Sequence, residues 1–325
     1  MNNYLIRLLA VNALLLWTVS LVAQPAKVAE PSLAPTAEEN CLLWKISGEE
    51  LSTPSYLYGT IHMIAADDYV LRPEASTAFA QAERIVFEID MDEMNNPMAI
   101  MGLMSNMYMP DGLTVKDLVD SAEYAMVSQH FDRKGLPMMA LGRMKPMFLS
   151  VLVGMDMNDM QANGKGGLGG LDLGDGIKSY ELEFTQMATA AGKPTDGLET
   201  LAFQMSIFDS IPYPAQAQML VESVRSEVEG TDDDINDLDK MTELYLNEKI
   251  VEMVGMMQEE ASIAEFEDIL LEKRNRNWIP KMTKMMTEAP VFFAVGAGHL
   301  AGEVGVIALL RQAGYTVEPV FAEKE

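Results

Sequence analysis

Two of the chain's three histidines close the same four-residue pattern, Gly59-Thr60-Ile61-His62 and Gly296-Ala297-Gly298-His299, and each pattern follows a short apolar run. Imidazole titrates nearest neutrality, so it serves as general base, proton shuttle or metal ligand. A glycine lets the chain turn sharply as it leaves a strand. The histidine three residues later then projects above the carboxyl ends of the strands, where α/β sheets place their ligands. Glu88 lies inside another apolar run, Ile85-Val86-Phe87-Glu88-Ile89. A carboxylate there must face a polar pocket or lose its water without a partner, and the second course is too costly to be the default. Glu88 is therefore a candidate metal ligand or general base, the alternative being a strand edge with the carboxylate in water.

The elements that must position these groups are readable from pattern. Leu42-Leu43-Trp44-Lys45-Ile46 and Tyr56-Leu57-Tyr58, separated by a Gly/Ser/Thr/Pro turn, predict an opening hairpin. A helix is expected after Arg72 with Pro73 in its first turn, leading to the strand that carries Glu88. From Met91 to Gln161 the chain is Met-rich with helical spacing, and Asn163 to Gly176 is a Gly-rich loop. Helices are expected over Tyr180–Ala191 and Thr200–Asp209, with a long acidic helical stretch from Pro214 to Thr287. A strand (Val291–Val295), a helix (Glu303–Ala313) and a closing strand (Tyr315–Val320) end the chain. The expected fold is α/β: a central mixed sheet with flanking helices, strands at both chain ends and a large helical insertion at about 91–287.

Several features carry no site on this reading. His130, in Ser128-Gln129-His130-Phe131-Asp132, has no partner pattern and is expected on the surface of a helix. The run Leu271-Glu272-Lys273-Arg274-Asn275-Arg276-Asn277-Trp278 reads on spacing alone as an exposed helix face with local ion pairs. The Gly-rich loop lacks the Lys-Ser/Thr ending of a phosphate-binding loop, so it reads as a connector. The methionines fit adaptable packing better than a copper site around Met155 and Met157. Cys41 is the single cysteine, which leaves no intramolecular disulfide, and reads as a small apolar residue at a strand start.

Composition narrows the function classes. The 325 residues are 49% hydrophobic, enough for a sizeable core. A formal net charge of -26 would repel nucleic-acid phosphates and anionic lipids, so nucleic-acid binding is set aside. Met1 to Ala23, with an apolar run from Leu8, reads as a secretory signal peptide; residues 24–40 read as a linker and 41–325 as the folded domain. The protein is expected to be exported, periplasmic or extracellular, with no stable membrane span after cleavage. An uncleaved anchor is the alternative, because the run is close to the ~18 residues a span requires.

The joint order of the motifs resembles the TraB/GumN family, related to the TIKI metalloproteases and more distantly to erythromycin esterase-like and ChaN-like proteins. The resemblance rests on Leu43-Trp44-Lys45, Tyr56-Leu57-Tyr58-Gly59-Thr60-Ile61-His62, Phe87-Glu88, Lys145-Pro146 with Phe148, and Gly192-Lys193-Pro194. It continues with Gly197-Leu198-Glu199-Thr200 and Gln204, Arg274-Asn275 with Trp278, and Val295 to Gly302. The chain departs from the family pattern at Met147, where a Trp is usual. The resemblance implies an active-site set of His62, Glu88, Arg274 and His299, with Arg276 a second candidate for the arginine. It implies metal dependence with manganese or cobalt, and names no substrate.

Two functions of different class follow. The first is metal-assisted hydrolysis of an amide, peptide or ester bond, with His62, Glu88 and His299 as ligands and Arg274 stabilising the oxyanion. Zinc or iron is also admissible for nitrogen and oxygen donors. A metal-free form of it has His62 as general base oriented by Glu88. The second is a non-catalytic periplasmic protein that binds or senses haem, a metal or a peptide with the same histidines.

Overall fold

The structure is a computed structural model that describes residues 32–91, 93, 96–153, 176–229, 232–259 and 266–322. The expected signal segment Met1–Ala23, most of the Gly-rich loop and Met155 and Met157 lie outside the described residues. Ala37–Glu39 form a 3-10 turn whose Glu39 pairs with Arg311 at 2.6 Å.

The main sheet draws on both ends of the chain. Its strands are β1 (Leu43–Ser47), β2 (Ser55–Thr60), β4 (Arg84–Ile89), β6 (Thr195–Glu199), β7 (Val291–Gly296) and β8 (Thr316–Pro319), in the order β6-β4-β7-β2-β1-β8. Two further strands, β3 (Ile64–Ala65) and β5 (Ile177–Lys178), pair antiparallel in a separate small sheet. The hairpin β1–β2 is antiparallel as its turn requires, and β8 closes on the other side of β1. The four strands β6, β4, β7 and β2 are mutually parallel. Parallel strands are covered on both faces, and Val291 to Val295 are accordingly buried without alternation.

The helices are α1 (Pro73–Gln81), α2 (Pro97–Asn106), α3 (Ser121–Arg133), α4 (Met138–Leu141), α5 (Pro146–Val153), α6 (Tyr180–Ala191), α7 (Leu201–Ile207), α8 (Tyr213–Glu229), α9 (Asp232–Leu246), α10 (Ile250–Glu259), α11 (Lys273–Glu288) and α12 (Val306–Gln312). Pro73 opens α1, where its missing N–H costs nothing. Gly192 closes α6 in the left-handed region at φ 64°, which an L side chain resists. The expected mixed sheet, flanking helices and helical middle are all present. Two strands arise inside that middle: β6, residues 195–199, joins the edge of the main sheet, and β5 pairs with β3 in the small one.

Two apolar cores result. Trp44, Leu57, Phe87, Phe292, Phe293 and Trp278 belong to the first, between the sheet and its helices. A second core, within the helical middle, gathers Met109, Val127, Phe131, Leu149, Leu220 and Val221. His130 sits at the edge of the second core and is 5% exposed, which corrects its expected surface placement: the helix α3 turns that face, with Val127 and Phe131, inward.

Candidate active site

Four parallel strands finish on one side of the sheet, and their last residues form a row. The register pairs Ile89 with Glu199, Phe87 with Ala294 and Thr60 with Gly296, so Glu199, Ile89, Gly296 and Thr60 lie side by side, with Glu88 one residue before that row. The two Gly-x-x-His motifs follow from adjacent strands of this row. Their glycines are needed for close approach more than for an unusual backbone. A Cβ on Gly296 would come within 3.2 Å of Glu88 Oε1, and one on Gly59 within 3.0 Å of Leu300.

Arg274, in the first turn of α11, reaches the row and binds it together. Its Nε donates to both oxygens of Glu199 at 3.0 and 3.1 Å. Nη2 donates to Glu199 Oε2 at 2.9 Å and to Glu88 Oε2 at 2.6 Å. Nη1 donates to the Leu270 carbonyl at 3.1 Å and faces His299 Nε2 at 3.2 Å. A guanidinium has five N–H groups, and all five are engaged. Arg274 is 8% exposed within the cluster, whereas Arg276, the second candidate, is exposed. The expectation of an exposed face over 271–278 is corrected: Arg274, Asn275 and Trp278 are buried because they pack under the strand ends.

The same contacts fix the tautomer of His299. Its Nδ1 lies 2.6 Å from Asn275 Oδ1, an acceptor, since Asn275 Nδ2 donates to the Val304 carbonyl at 2.9 Å. Nδ1 therefore carries the hydrogen, and Nε2 presents its lone pair to the Arg274 Nη1–H, with Glu88 Oε1 3.7 Å away. Trp278 covers the ring at 4.4 Å between centroids and donates its indole N–H to Glu199 at 2.8 Å. Burial, with help from the Arg274 charge, pushes the His299 pKa down to about 4 against the opposing pull of Glu88. Burial alone would raise the Glu88 carboxyl, but the positive charges around it and the Gly296 N–H at 2.8 Å outweigh that and hold it at about 2. At neutral pH His299 is uncharged, so Arg274 is the principal stabiliser of the Glu88 carboxylate. Gln204, on α7, completes the shell with a hydrogen bond to Glu88 Oε2 at 3.0 Å.

His62 is placed differently. Its side chain is 72% exposed and its Nδ1 lies 3.0 Å from Glu181 Oε1. The hydrogen bond to that carboxylate raises the imidazole pKa above its ordinary 6.5. Glu181 is in turn held by Thr60 at 2.7 Å and Ser179 at 2.8 Å. His62 is near enough for its charge to be felt at Glu88 and His299. Glu88 does not orient it, however, and Glu181 does, which corrects the arrangement expected for a metal-free base. Among the described residues no group of three His, Cys, Asp or Glu side chains converges to hold a metal ion.

The structure thus brings Glu88, Arg274 and His299 into direct contact and sets His62 at the rim. The partners Glu199, Gln204, Asn275 and Trp278 stand in the sequence only as motif letters, with no role legible from spacing. Glu181 carried no signal at all, because it arrives from the start of α6.

A model of the TraB/PrgY/gumN family matches residues 42–319, most of the chain and every member of the network. The chain belongs to the TraB/PrgY/gumN family. Among its relatives, metalloprotease TIKI1 of Danio rerio is 25% identical, across 93% of this chain and 68% of that protein. Metalloprotease TIKI2 of Danio rerio is 24% identical, across 86% and 61% respectively. Metalloprotease TIKI1 of Homo sapiens is 24% identical, across 87% and 62%. The chain therefore spans about 61 to 68% of the length of these relatives. No solved structure matches the chain.

Proposed function

We propose that the protein is an exported hydrolase that cleaves an amide, peptide or ester bond at the cluster of Glu88, Arg274 and His299. The observation that carries this reading is the buried, neutral His299, whose Nε2 lone pair accepts from Arg274 beside the ionised Glu88 carboxylate while Asn275 holds the other nitrogen. In the proposed step a water attacks the substrate carbonyl carbon and gives its proton to Nε2. Glu88 stabilises the imidazolium, which then returns the proton to the leaving nitrogen or oxygen as the carbonyl bond breaks. Proton uptake has a second effect. A protonated Nε2 can no longer accept from Arg274 Nη1, so that N–H is released as negative charge develops on the substrate oxygen, where a fixed donor matters most.

The metalloprotease relatives support a version with a divalent cation on His62, Glu88 and His299, manganese or cobalt being what the family resemblance implies. Such an ion would polarise the carbonyl and activate the water. As placed, the residues do not fit it. Arg274 takes Nε2 of His299 and Oε2 of Glu88, Glu181 takes Nδ1 of His62, and a guanidinium in direct contact repels a dication.

Hydrolysis of a peptide pool by purified wild type and by His299→Gln tests the reading. Cleavage lost in the variant is expected, and cleavage equal in both would overturn it. Repeating the assay with chelator and then with manganese decides the version. Activity that survives chelator supports the metal-free chemistry, and activity restored only by manganese, with a rise in melting temperature, supports the cation.

A further inference from the structure

Beside the network, β6, α7 and α11 enclose an open cavity of about 370 Å³ lined by Leu198, Glu199, Thr200, Phe203, Trp278 and Lys281, with Asn277 also on its wall. We propose that this cavity is a subsite for one bulky apolar side chain of the substrate, a statement that rests on the hydrolase reading above and names what the site would select. Its size is at the low end of ligand pockets, roughly 300 to 1,000 Å³, which suits a single leucine-sized or aromatic group rather than a whole ligand.

Three of the polar groups of the wall already have partners, and the fourth, Asn277, is exposed. Glu199 accepts from Arg274 and from the Trp278 indole. Thr200 Oγ1 caps α7 by accepting from the Phe203 N–H at 3.1 Å, and the Lys281 ammonium donates to the Leu198 carbonyl. Away from Asn277, a polar occupant would find these three groups engaged and would leave its own unsatisfied, whereas an apolar one loses nothing. Phe203 is 43% exposed at the cavity, an unusual position for a phenylalanine in the absence of a partner. The helix that packs on α7 continues the character: in α2, Met98, Met101 and Met104 are 70%, 60% and 55% exposed. Grouped exposed apolar residues mark interaction surfaces, and methionine suits variable contacts.

Occupancy would also be felt at the reacting groups. Trp278 lines the cavity, covers His299 and lies under the Arg274 guanidinium at 5.1 Å. Trp278 itself is fully buried, so an occupant of the cavity reaches the imidazole that takes the proton through the packed wall to which the indole belongs. The expected signature is selectivity expressed in kcat as well as in KM.

Two readouts test the proposal. The indole N–H resonance of Trp278 should shift when N-acetylphenylalaninamide or N-acetylleucinamide is titrated into full-length protein, and N-acetylglycinamide should leave it unmoved. Phe203→Ser and Phe203→Asp, at a half-exposed position, should abolish the shift while the melting temperature holds. A glycine amide as effective as the apolar ones, or no response in the wild type, overturns the subsite. In peptide cleavage, leucine or phenylalanine at one fixed position from the cut should exceed alanine by about tenfold or more, and Phe203→Ser should erase that ratio. Cleavage without any such preference also overturns it. A protein that cleaves nothing defeats the hydrolase reading alone, since the indole measurement still decides whether the cavity takes apolar groups.

Discussion

The molecule buries two histidines in two different regions, and only one of them has the surroundings of a reactive group. His299 at the sheet end and His130 in the helical middle are 4% and 5% exposed, and each has a carboxylate oxygen 3.7 Å from Nε2. Burial lowers the pKa of both. The difference is in what fixes their neighbours. Glu88 is itself buried and held by Arg274, Gln204 and the Gly296 N–H, and Asn275 sets the ring. Glu227 beside His130 is 40% exposed and shared with Lys134 at 3.1 Å, and His130 Nε2 has no hydrogen-bond partner among the described residues. Burial of a histidine is thus a poor mark of a site. A carboxylate and ring that are each held by a second set of partners is a better one, because reactive geometry has to be supported from behind.

The contrast is broken most sharply at the imidazoles themselves. His299→Ala should lower turnover by about 10² to 10⁴-fold, the usual worth of a general base, while His130→Ala should leave kcat within about twofold. Steady-state kinetics on both variants measures it, and equal losses would erase the distinction drawn here.

Next in size is stability. Glu88→Gln removes one partner of a buried pair, and removing one partner typically costs about 3 to 5 kcal/mol. Arg274 keeps Glu199, so a loss toward the low end of that range is expected in urea melts. His130→Leu should be close to neutral, since it removes a buried Nε2 that lacks a hydrogen bond along with the ring's hydrogen bond to the Val153 backbone.

The pH dependence is the gentlest probe. The folded pKa of His299, about 4, lies below its ordinary 6.5, so the folded state binds fewer protons. Its contribution to stability is complete above about pH 6.5 and is lost as pH falls toward 4. Glu88, held at about 2, loses its share from about pH 4.5 downward. Melting temperature should therefore fall in two overlapping stages on acidification, and His299→Gln should remove the upper one. In the wild type kcat/KM should rise through about pH 4 and be level at neutrality.

Much of this was legible in the sequence, for reasons that differ by element. The opening hairpin, the strand bearing Glu88 and the closing strand-helix-strand unit follow from apolar runs bounded by Gly and Pro. The strand Thr195–Glu199 does not, because Thr-Asp-Gly-Leu-Glu shows no alternation and pairs on one side only. Glu88 was legible as a charge where none should be, and His299 as half of a repeated pattern. Their supports were not, since Asn275, Glu199 and Gln204 come from three other elements and acquire meaning only when the parallel register brings them together. Arg274 looked like one charge among many, and its burial is a tertiary fact that helical spacing does not encode.

The position of β7 in the sheet has a further consequence. This strand lies between β4 and β2, at the centre of the parallel row, yet it is made of residues 291–296, close to the end of the chain. A ribosome delivers the amino end first, so the first 290 residues emerge without the strand that joins the two halves of the row. Contacts of such large sequence separation slow folding, because long loops must close before they are rewarded. Until β7 arrives, the flanks of β2 and β4 stay open to other strands, and a carboxyl-terminal truncation would leave them so permanently.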